Sequence, residues 1–136
     1  KNLDDRQFKK AVLVLTTGMN IFLFISFVWP TGLNLREGIV YDLHTLSGNL
    51  LKFVQTVDTP KSVFPSMHVY VTLVLQYTLE MQKKLVPSWG IWVGRVLAVL
   101  IVLSTMFTKQ HSVLDVSAAI VMFAVLVVMV EKIVKK

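Results

Sequence analysis

What constrains this chain most is where its charges are missing. Residues 11–29 and 116–130 carry none, 63–79 carries none when His68 is neutral, and 87–108 carries only Arg95. Extending the last run back to Ser112 adds only Asp115. A bilayer core takes about 20 apolar residues as helix, and each run reaches that length with its flanks. A soluble fold would have to cover four such helices with polar surface. Only 16% of the 136 residues are charged, against about 25% in ordinary soluble domains. The expectation is an all-α, polytopic transmembrane bundle of about four helices, forming one membrane-embedded domain over residues 1–136. Cysteine is absent, which excludes disulfides, Cys-ligated zinc and thiol chemistry.

The net charge of +6 raises the question of nucleic acid, and its placement answers it. Lys1, Arg6, Lys9, Lys10, Lys83, Lys84, Lys132, Lys135 and Lys136 fall on one side of a four-span topology. Arg36, Lys52, Lys61 and Lys109 fall on the other. The positive-inside rule then puts both termini in the cytoplasm and the segments 30–62 and 108–112 outside it, on a periplasmic, extracellular or luminal face. These cations anchor helix ends and do not form a basic patch interleaved with aromatics, so no nucleic-acid partner is expected. The first run lacks a small-residue cleavage site, so it does not read as a signal peptide. The sequence starts at Lys1 without Met, and an upstream part is expected to be missing. In the long outer segment, Leu43, Leu46, Leu50, Val54 and Val57 recur at helical spacing. They predict an amphipathic helix that either lies flat at the interface or packs on the bundle as a lid.

Ionisable groups at membrane depth are costly and mark functional candidates. Pro65–Ser66–Met67–His68 is placed at the opening of the second span, with Pro65 in its first turn. His111 and Asp115, four apart, are placed on one face at the opening of the fourth, with Lys109 just outside. Both openings belong to the outer side, so two positive dipole ends lie at the same depth. Two imidazoles, a carboxylate, Lys109 and the loop residue Arg36 suit a phosphate ester. One histidine attacks phosphorus and the other protonates the leaving oxygen, while the cations stabilise the equatorial oxygens. The simpler structural reading makes Ser66 a cap, His68 a headgroup contact and Lys109–Asp115 an ion pair.

Pro65–Ser66–Met67–His68 resembles the PSGH signature of the type 2 phosphatidic acid phosphatase superfamily. Ser104, His111 and Asp115 match the spacing of its SR-x5-H-x3-D signature. The run from Ser104 to His111, Trp29–Pro30–Thr31 through Arg36, and Val57–Asp58–Thr59–Pro60 are most similar to the branch containing inositol phosphorylceramide synthases. The similarity spans about residues 28–120. It implies a bundle usually of six helices, the first two lacking here. It also implies His111 as nucleophile through a phosphohistidine, Asp115 as its orienting partner and His68 as general acid. Ser66 would help hold phosphate, with Lys109, Arg36 and Ser104 assigned to the same task, and no metal or cofactor is called for. This sequence departs from the pattern at Thr105, where the family has arginine, and at Met67, where it has glycine. The K-x6-RP signature is reduced to Arg36, with Glu37 for proline and Trp29 at the lysine position.

The resulting expectation is a membrane hydrolase of lipid phosphomonoesters or pyrophosphates, of the phosphatidic acid or polyprenyl pyrophosphate class. Its partners are the lipid substrate and the surrounding membrane lipids, and a homo-oligomer is compatible with it. A phosphotransferase using an acceptor alcohol shares the first half-reaction. A non-catalytic helical module, with His68, His111 and Asp115 on zinc, is the reading from a different class. His44 is expected to be interfacial, Arg95 to snorkel, and Trp89 and Trp92 to sit in an aromatic belt. Thr16, Thr17, Asn20, Gly90 and Gly94 are expected to mediate helix packing.

Overall fold

The computed structural model describes residues 5–29, 40, 42–57, 64–108 and 112–134. All regular structure among them is helical: α1 (Asp5–Val28), α2 (Leu46–Val57), α3 (Met67–Met81), α4 (Ser88–Phe107) and α5 (Val113–Ile133). Each of the four charge-poor runs forms one helix. Three of them, α1, α4 and α5, are long and apolar enough to cross a membrane. Their uncovered faces carry large apolar side chains such as Leu23, Phe24, Leu100, Val121 and Met129. Water would not tolerate that surface on a monomer, whereas lipid does. The chain is a helical membrane protein.

The second charge-poor run gives a shorter helix than expected. α3 has 15 residues, about 22 Å at the α-helical rise, against the roughly 30 Å of a hydrocarbon core. Its start is set by Ser66, whose side chain accepts the N–H of Val69. Pro65 therefore lies ahead of the cap, in a cis Phe64–Pro65 bond, and not in the first turn.

α3 is nonetheless the hub. It packs on α1, α4 and α5, while α1 also packs on α5 and α4 lies outermost against α3. The core is Val14, Val69, Tyr70, Val74, Val116, Ala119, Leu126 and Val130. The largest buried side chain, Tyr70, reaches α1 and donates its hydroxyl to the Val14 carbonyl. It fits there because residue 18 is glycine: a Cβ on Gly18 would lie 2.1 Å from the Tyr70 ring. Phe123 of α5 stands edge-on to both Tyr70 and Tyr77, at 6.3 and 6.0 Å between centroids. On the other side of α3, Gly94 admits Gln76 and Leu79, as expected of a packing glycine. Gly90 instead faces Val86 and Pro87 of its own turn. Thr16 and Asn20 are exposed and bond back along α1, to the Val12 and Thr16 carbonyls, so Gly18 takes the packing role assigned to them.

Chain direction alternates through α1, α3, α4 and α5, and polar contacts tie one end. Gln7 donates to the Met81 carbonyl. Glu131 accepts from Lys10 at 2.6 Å and from the Tyr77 hydroxyl at 2.7 Å, joining α1, α3 and α5. Glu80 pairs with Arg95 and Lys83, and the Arg95 guanidinium also stands 5.5 Å above the Trp92 ring. Arg95 thus has a specific partner on α3 beyond snorkelling.

Gly18→Leu should lower thermal stability in detergent by about 1–3 kcal/mol through overpacking against Tyr70. Gly18→Ala should act in the same direction but less, since alanine's helix propensity offsets about 1 kcal/mol. Adding Tyr70→Ala should cost less in the Gly18→Ala background than in the parent, because the overlap is relieved. An unchanged unfolding midpoint for Gly18→Leu would refute the contact.

Candidate active site

The opposite end of the bundle brings the openings of α3 and α5 together. The Ser66 backbone N–H donates to the Asp115 carbonyl at 3.2 Å, and both residues are buried. Ser66 is the N-cap of α3, and Asp115 is in the first turn of α5. The sequence reading placed these two openings at one depth, and this hydrogen bond joins them. His68 follows Ser66 by two residues, in the first turn of α3, and is exposed.

α5 begins with a capping box. Ser112 accepts the Asp115 N–H at 3.3 Å, and Asp115 Oδ2 accepts the Ser112 N–H at 2.7 Å and its hydroxyl at 2.8 Å. This reciprocal pair satisfies two orphan donors of the helix end and places a carboxylate against the positive dipole. It also moves the helix start to Val113, two residues beyond His111. The stacking expected of His111 and Asp115 on one helical face falls on a residue outside the described ones. Both contacts to the Asp115 carboxylate fall on Oδ2, and among the described residues no other donor reaches it. His111, Lys109 and Arg36 lie outside the described residues, as do Lys61 and residues 58–60.

Ser104 does not share the burial of Ser66 and Asp115. It is exposed, and its hydroxyl donates to the Ile101 carbonyl at 2.8 Å. The next residue, Thr105, is the buried one, with its hydroxyl on the Val102 carbonyl. Among the described residues no group of three His, Cys, Asp or Glu side chains could hold a metal ion. Beside the junction, Phe24, Ile25, Val28, Trp29 and Phe64 line an almost wholly apolar groove of about 480 Å³. Phe64 stands two residues ahead of Ser66, so the groove runs up to the segment that caps α3.

Helix geometry gives the first N–H groups of any helix no intrahelical acceptor. In α3 the cap takes Val69 and Tyr70, and in α5 it takes Asp115 and Val116. Met67, Val113 and Leu114 thus bring early N–H groups to one junction. The arrangement can bind an anion between two helix ends and hold an apolar chain beside it.

Two contributors escaped the sequence reading. Ser112 was legible, because Ser112-x-x-Asp115 ahead of an apolar run is a capping-box pattern. Gln55 was not. It is buried, and its amide donates to the Thr108 carbonyl at 2.6 Å, tying α2 to the end of α4. Comparison with known proteins finds no matching family model, curated protein or solved structure.

Ser112→Ala should lower thermal stability by about 1 kcal/mol, the usual loss for an N-cap. Asp115→Ala should lower it further, because it also strips the carboxylate from the dipole end. Thermal unfolding of the two variants in one detergent checks the order, and a milder effect for Asp115→Ala would contradict the capping box.

Proposed function

We propose that the protein is a membrane-embedded enzyme that cleaves lipid phosphomonoesters or pyrophosphates. The observation that carries this reading is the Ser66–Asp115 hydrogen bond, which holds two helix N-termini together at one end of the bundle. It joins the two sequence segments whose histidines are the candidate catalysts. The apolar groove beside Phe64 supports a lipid over a soluble phosphate ester. In this reading α1, α3, α4 and α5 all span the bilayer, α3 being the short one. Both termini are cytoplasmic, and the junction faces the extracytoplasmic leaflet.

An imidazole nitrogen of His111 attacks phosphorus, and the P–O bond to the lipid breaks. His68 gives its proton to the leaving oxygen, releasing the alcohol or lipid phosphate. Water then attacks the phosphohistidine, with His68 now accepting its proton, and inorganic phosphate leaves. Asp115 holds the His111 imidazole in the correct tautomer and supports its positive charge, while its Oδ2 caps α5. The Ser66 hydroxyl and the first-turn N–H groups bind the phosphate oxygens. Lys109 and Arg36 neutralise them, and Ser104 belongs to the same group only if α4 turns it inward on binding. The same phosphohistidine passed to an acceptor alcohol gives the transferase reaction, which the likeness of residues 104–111 to that branch favours as second reading.

The test is a panel of phosphatidic acid and polyprenyl pyrophosphates with purified protein, each with and without candidate alcohols. His111→Ala should abolish turnover and phosphohistidine trapping. His68→Ala should lower kcat by about 10²–10⁴-fold, the range for loss of a general acid. His44→Ala, in an exposed turn, should leave the rate unchanged. A new phospholipid in the presence of an alcohol assigns the transferase reaction, and unchanged turnover in His111→Ala would end the enzymatic reading.

A further inference from the structure

α2 turns the wrong face to the protein for a lid. Thr45 caps it by accepting the Gly48 N–H, so Leu43 lies in the turn ahead of the helix. Leu46, Leu50, Phe53 and Val57 recur at steps of four, three and four and form one stripe. These four are 78%, 54%, 66% and 69% exposed. Gln55, at 7%, is the buried residue of the helix. At 100° per residue it lies about 180° from Leu46. Asn49, Lys52 and Thr56 form a third, polar stripe between them. The face toward the bundle is therefore a polar anchor, and the apolar face is uncovered. A lid packed on the bundle would show the reverse.

Gln55 also sets the depth. Its amide donates to the carbonyl of Thr108, the C-cap of α4. α4 is long and apolar enough to cross a membrane and carries an exposed Phe107 in its last turn. The anchor thus puts α2 at the level where α4 leaves the hydrocarbon. With 12 residues, about 18 Å, α2 is too short to span. At this level a lipid surface offers acyl chains to one stripe and water and headgroups to the other, within one helix diameter.

We propose that α2 is an interfacial membrane anchor: its Leu46–Leu50–Phe53–Val57 stripe inserts into the acyl region of the leaflet at the Thr108 end of α4, while Gln55 fastens it to the bundle. This surface binds lipid whatever chemistry the neighbouring junction performs.

The natural absence of cysteine makes the test direct. Full-length protein carrying one spin-labelled cysteine is reconstituted in phosphatidylcholine vesicles, and label accessibility to oxygen and to a water-soluble nickel chelate is measured. Leu46→Cys, Leu50→Cys, Phe53→Cys and Val57→Cys should favour oxygen and report a depth of about 5–10 Å below the headgroups. Asn49→Cys, Lys52→Cys and Thr56→Cys should favour the chelate. All seven sites are exposed, so the substitutions leave the bundle core untouched. Equal access of the chelate to both sets would overturn the proposal. So would apolar positions shielded from both reagents, which would mean a protein cover such as a second copy.

Discussion

The fit of Tyr70 against a residue without a side chain sets how closely α1 approaches α3, and the rest of the bundle is built around that distance. The Tyr70 hydroxyl needs an acceptor because it is buried among apolar side chains. It finds the Val14 carbonyl only because Gly18 lets the ring come close. Once seated, the ring offers its edge contact to Phe123 and so engages α5 as well. A short helix carrying His68, Thr72, Gln76, Tyr77 and Glu80 would be poorly suited to lipid alone. Flanked by α1, α4 and α5, it is shielded on three sides: Tyr77 and Glu80 find partners on α5 and α4, while Thr72 and Gln76 bond within α3.

The two ends of the bundle are closed by different chemistry. At one, opposite charges meet: Lys10 with Glu131 and Glu80 with Arg95 across helices, and Glu80 with Lys83 just past the end of α3. At the other, described contacts are made by backbone and cap groups: Ser66 with Asp115, Ser112 with Asp115, and Gln55 with Thr108. Cap closure leaves early N–H groups directed at the junction, which is what an anionic ligand needs.

The site was partly legible in advance. The meeting of Ser66 and Asp115 follows from topology once four apolar runs are counted, because alternate helices must begin on one side. Spacing along the chain misled where it assumed helix too early. It put Pro65 inside α3, whose cap is Ser66. Ser104 and Thr105 show the complementary limit, since neighbours on one helix point about 100° apart and only packing decides which is buried.

The sequence by itself determined that the chain is helical, that its helices face lipid, and where each charge-poor run lies. Those properties depend on composition and period, and in a bilayer a backbone has almost no other way to satisfy its own hydrogen bonds. The tertiary structure alone decided that the shortest helix is the hub, that Gly18 is the contact glycine, and that α2 turns Gln55 inward and its apolar stripe away. Each of these rests on a pairing between residues far apart in the chain, whose side chains become neighbours only when the helices pack.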